Sequence, residues 1–122
     1  MKPVFSEEYY RTHWDKFLKR VPGNDYINLE GELAKVMKSY KEAGMPMEAM
    51  QVVEKIEAEK LSVRCKELVM KEMEVVKRIN AGKASFGMTT QRQEIEQRGN
   101  YIRRFEFNCL QLADFRKNHK LA

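Results

Sequence analysis

Apolar residues return every three or four positions along most of this chain, the spacing of helices with one buried side. Tyr10, Trp14, Phe17 and Val21 form an aromatic stripe that predicts a helix over residues 7–20. Ser6 is its N-cap candidate, and Glu7 and Glu8 suit the positive end of the helix dipole. A break at residues 21–25, with Pro22, Gly23 and Asn24, closes it. Leu33, Val36, Met37 and Tyr40 predict a second helix over 29–43. Gly44 stands at its end, and Pro46 prevents its continuation. Val52, Val53, Ile56, Leu61, Leu68, Val75 and Ile79 line a third stretch over 47–79. The stripe shifts phase between residues 59 and 63, so one helix and two helices kinked near Ser62 both remain open. Residues 81–89 read as an irregular link with a glycine near each end. Thr90 and Gln93 have the spacing of a capping box, and Ile95, Ile102, Phe105, Cys109 and Leu112 mark a last helix running to about residue 117.

No strand-like alternation and no hairpin signal interrupts this pattern. The expected fold is all-α, of four or five helices: an antiparallel helical hairpin followed by a long C-terminal helix. The expected organisation is a hairpin domain over 1–80, a linker over 81–89 and a basic amphipathic helix over 90–122, as one compact or extended unit. In the hairpin, Tyr40 is expected to wedge between the helices and Ala49 to sit at their closest approach, with Val53 and Ile56 closing the far side.

Composition sharpens this picture. The 122 residues suffice for one domain with one modest core. The net charge of +5 is unevenly placed: residues 1–61 hold 10 Lys+Arg against 11 Asp+Glu, and residues 62–122 hold 13 against 7. A basic half suits an acidic partner such as RNA, an anionic lipid surface or an acidic protein face. Two cysteines, Cys65 and Cys109, sit among apolar neighbours, where a free thiol behaves as a small hydrophobe. They make no disulfide framework, which favours a reducing compartment. No apolar run approaches the roughly 20 residues of a membrane helix, so no transmembrane segment is expected. Glu7 and Glu8 are unlike a cleavable mitochondrial presequence, so any organelle import is expected to use an uncleaved or already removed signal.

Candidate chemistry is thin. His13 and His119 stand near opposite ends, and neither has a second ligand three or four residues away to share a metal. The six glycines never take a phosphate-cradling spacing. Glu54, Glu57, Glu59 and Glu67 alternate with lysines as a solvated helix face does. No catalytic residue, metal site or cofactor is expected.

The segment running through Tyr40, Ala43, Gly44, Glu48, Ala49, Val52, Val53, Glu54 and Ile56 resembles one pentatricopeptide or tetratricopeptide repeat unit over residues 31–63. The resemblance implies two antiparallel helices that stack on further helices. No second copy of the unit appears. The positions matching the family's base-reading pair are Ala34 and Arg64, and Ala34 offers no hydrogen-bonding group. Lys60 and Val63 stand where Pro and Gly usually close the unit. The base-reading role therefore does not carry over. The opening run through Glu8, Tyr9, Tyr10, Trp14 and Phe17, followed by this hairpin, is also similar to the matrix-side helical subunit Va of cytochrome c oxidase. That likeness implies a non-catalytic subunit of a mitochondrial assembly.

The expected function is therefore an accessory or structural subunit of a large multiprotein complex. It is placed in mitochondria, or otherwise the cytoplasm, and binds other protein subunits through Trp14, Phe17, Tyr101, Ile102, Phe105, Leu112 and Phe115. The glycine-flanked link would let the last helix swing away and dock its stripe on a partner, with Arg98, Arg103, Arg104, Arg116 and Lys117 as a basic rim. The alternative is a nucleic-acid-binding protein, ribosomal, pentatricopeptide-like or phage-encoded, whose arginines neutralise phosphates while its aromatics stack on bases.

Overall fold

A computed structural model describes Glu8, Arg11 and residues 28–121. Among these residues it is all-helical, with no strand. Three long helices account for it: α1 over Leu29–Glu42, α2 over Met47–Asn80 and α3 over Gln91–Asn118. Residues 47–80 form one uninterrupted helix rather than two, which leaves four of the expected helices, three of them among the described residues. Glu8 and Arg11 are helical. The rest of the expected first helix, including Trp14 and Phe17, lies outside the described residues.

Local chemistry sets each helix end. Asn28 caps α1 by accepting a hydrogen bond from the Gly31 amide at 3.1 Å, and Glu30 and Glu32 occupy its positive first turn. Gly44 then takes a positive φ of 82°. Its amide donates to Lys41 O and that of Met45 to Tyr40 O, the paired bonds of a Schellman motif. Gly82 ends α2 in the same way, its amide donating to Ile79 O and that of Lys83 to Arg78 O. At the end of α3 the left-handed position is filled by Lys120 (φ 53°). Thr90 caps α3 by accepting from the Gln93 amide, but the reciprocal half of the expected capping box is absent. The Gln93 side chain instead accepts from Thr89 Oγ1 at 2.8 Å.

α2, about 51 Å long at 1.5 Å per residue, is the spine. α1 folds back along its first half, where Tyr40 donates to Glu57 at 3.2 Å. α3 returns antiparallel along its whole length, so that Arg104 and Asn108 reach Glu72. The end of α3 meets the start of α1: the Leu29 amide donates to Gln111 Oε1 at 2.6 Å, and His119 lies 3.0 Å from Glu30. One core joins all three helices through Leu29, Leu33, Leu61, Val69, Phe105 and Phe115. Ala58, Ser62 and Cys65, all buried, are the small residues where the other helices approach α2.

Several sequence expectations change here. Ala49 is exposed, so it is not at the closest approach of the hairpin, and Ile56 is half exposed rather than closing it. The hairpin contact lies about three turns beyond Ala49, at Ala58 and Leu61. α3 does not swing out on its link. It is packed so closely that the four consecutive residues Phe105, Glu106, Phe107 and Asn108 are all buried. A helix buried on consecutive positions is covered on more than one side. Further along α3, the Arg11 guanidinium forms a bidentate pair with Asp114 at 2.9 and 3.1 Å.

Candidate interaction surfaces

Of the expected partner-binding residues, Phe105, Leu112 and Phe115 are core residues of this chain, and Tyr101 and Ile102 pack half-buried against that core. They do not present an aromatic docking face. The expected basic rim is also largely engaged inside the fold. Arg104 donates to Glu72 at 3.2 Å and lies 4.6 Å over the Tyr101 ring. Arg98 donates to Ala84 O at 3.1 Å, and Arg103 to Gly99 O and Asn100 Oδ1. Arg116 is half-buried, and of the five only Lys117 is exposed. The sequence period placed these arginines beside the stripe. It could not show that the stripe is covered on both flanks.

The most buried charged group among the described residues is Glu72, whose side chain is 2% exposed. It projects from α2 toward α3, where its carboxylate accepts from Arg104 Nε on one oxygen and from Asn108 Nδ2, at 2.9 Å, on the other. Pairing with a cation and a further hydrogen bond is what makes a buried carboxylate tolerable. Sequence reading missed it because Glu72 lies in a lysine- and glutamate-rich run that looks solvated. The available signal was its spacing of seven from Cys65, four from Val76 and three from Val69, which places it on the core stripe.

The two thiols flank this carboxylate. Burial pushes the Cys65 thiol up to about 12, with Glu72 and Cys109 adding to the rise. Burial likewise raises Cys109 to about 11, helped by Glu72 and Glu106. Both stay protonated at neutral pH, and a thiol is a weak nucleophile. Among the described residues no three His, Cys, Asp or Glu side chains converge as a metal site would need, and no helix is long and apolar enough to cross a membrane.

The link between α2 and α3 is held by Glu94. Its carboxylate accepts from the Phe86 and Met88 amides at 2.9 and 3.0 Å and from Ser85 Oγ at 2.9 Å. The Met88 and Phe86 amides, with smaller help from Ser85 and Arg98, lower its pKa below the ordinary 4.5. A segment that reads as a free linker is thus folded onto the first turn of α3.

A surface of a different kind runs along the outside of α2. Val52, Ile56, Val63 and Met70 are each at least half exposed, and Met73 continues the line. At 100° per residue the first four fall within about 40° of one another, on the side turned away from the buried face of Ala58, Leu61, Cys65, Val69, Glu72 and Val76. This strip was legible in part: Val52 and Ile56 belonged to the expected stripe, but Ile56 was assigned to the hairpin contact.

No known family model matches the chain, and no curated protein and no solved structure gives a significant match to it.

Proposed function

We propose that this chain is a non-catalytic helical subunit of a larger protein assembly, joined to it through the outer face of α2. One observation carries the reading: the Val52, Ile56, Val63 and Met70 strip, about 27 Å long from end to end, exposed on a helix whose opposite face already fills the core. Contiguous exposed apolar residues rimmed by charges mark interaction surfaces, and methionine adapts its shape to a partner. The resemblance of residues 31–63 to a stacking repeat unit and of the opening run to an oxidase subunit supports a structural role. The mitochondrial placing rests on the second resemblance alone. The nucleic-acid alternative leaned on Arg98, Arg103, Arg104, Arg116 and Lys117, of which the first three are bonded within the fold.

The test is sedimentation of native extract from cells carrying tagged chain, with native mass spectrometry of the fraction that holds it. The parent chain is expected in a particle far heavier than itself, and Val63→Glu is expected to move it to the light fractions without unfolding it. A parent chain that sediments only at its own mass overturns the reading.

A further inference from the structure

The outer strip of α2 repeats every seven residues. Ile56, Val63 and Met70 occupy one heptad position, and Val52 and Met73 the alternate one. The alternate positions between them are Glu59 and Lys66, both exposed. Neither has an ion-pair partner among the described residues, nor has Glu67 beside them. An apolar seam with a 3.5-residue period, flanked by charges, is the pattern by which one helix packs along another.

We propose that the occupant of this seam is a second copy of this chain, with the two α2 helices side by side and antiparallel. This rests on the outer face being a docking surface and names its partner. The charges select both partner and direction. In a parallel pair each seam residue meets its own copy, so Glu59 would face Glu59 and Lys66 would face Lys66, and like charges set together reject that arrangement. In an antiparallel pair with its two-fold axis between residues 64 and 65, Ile56 lies on the partner's Met73 and Glu59 on the partner's Met70. Val63 lies on the stem of the partner's Lys66, whose ammonium reaches Glu59 one layer away. Lys60 on the flank stands beside the partner's Glu67. The surface is self-complementary, as a two-fold interface must be. The buried face of α2 points elsewhere, so pairing disturbs neither α1 nor α3. The seam is short and interrupted by charge, so association in the micromolar range is expected.

Analytical ultracentrifugation of the purified full chain, from low to high micromolar concentration, tests this. The expected mass rises from 14.5 kDa toward twice that value. Val63→Glu is expected to remain monomeric with unchanged helical circular dichroism, since the side chain is exposed. Glu59→Lys sets a second ammonium near that of the partner's Lys66 and is expected to weaken the dimer about tenfold. Glu59→Lys combined with Lys66→Glu is expected to restore it. A chain that stays monomeric throughout overturns the second copy as occupant. If Val63→Glu then still frees it from its native particle, the docking reading survives with another partner. A dimer that ignores Val63→Glu overturns the surface, and one that ignores Glu59→Lys overturns the antiparallel arrangement.

Discussion

α2 carries two apolar faces, and they differ less in hydrophobicity than in size and in what happens to their charges. The inner face is built around Ala58, Ser62 and Cys65, small residues that let neighbouring helix axes approach closely. The outer face has Val52, Ile56, Val63 and Met70, branched or long side chains with no small residue among them. The inner face holds one carboxylate, Glu72, bonded by Arg104 and Asn108. The outer face holds Glu59 and Lys66, which have no ion-pair partner among the described residues. The first set describes a surface already matched to this chain's own helices. The second describes the surface proposed to receive another molecule. Apolar content alone does not tell a core from an interface; residue volume and the satisfaction of the charges do.

The largest test of this contrast lies at Glu72. Replacing it with Leu leaves the Arg104 guanidinium half-buried without its carboxylate, and is expected to cost about 3–5 kcal/mol of stability. Adding Arg104→Met is expected to recover most of the loss, because an apolar pair of similar volume needs no partner charges. Urea unfolding of the single and double variants measures both. A single variant as stable as the parent would mean that the two faces of α2 do not differ in how they treat charge.

A pair of truncations on the same helix sharpens the comparison. Leu61→Ala, on the inner face, is expected to cost about 2–4 kcal/mol through lost burial and the cavity left behind. Ile56→Ala, five residues earlier, is expected to stay within about 0.5 kcal/mol when measured at concentrations where the chain is monomeric. Equal costs would move Ile56 into the core and remove the outer strip.

The smallest effect concerns how α3 is held on the inner face. The Glu94 carboxylate has a lowered pKa in the folded chain, so its contribution is fully present above the ordinary value of 4.5 and is lost as pH falls through the folded value. Amide exchange at Phe86 and Met88 is expected to quicken below that range, beyond the intrinsic change with pH, while amides at the centre of α2 keep their protection. Glu94→Gln is expected to show the faster loop exchange already at neutral pH. A loop whose protection is independent of both changes would show that another contact holds it.

Much of the secondary structure was legible because it depends on near neighbours. The cap at Thr90, the stop at Gly44 and the apolar periods of α1 and α3 involve residues within a few positions of one another, and the ends of α1, α2 and α3 fall within one or two residues of their expected places. The site was less legible. Phe105, Leu112 and Phe115 were correctly seen as apolar anchors, but their partner is this chain itself. Their period gives the direction of a side chain about the helix axis and says nothing of which surface comes to meet it.

The sequence by itself determined that this chain is helical, where most of its helices begin and end, and that it carries more apolar helix surface than a single stripe per helix. Only the tertiary structure decided which stripe of α2 became core. Two stripes on opposite sides cannot both face α1 and α3, and burial went to the side whose small residues permit close approach and whose one carboxylate finds Arg104 and Asn108. That pairing joins residues 32 and 36 positions apart in sequence, a separation over which local spacing carries no information.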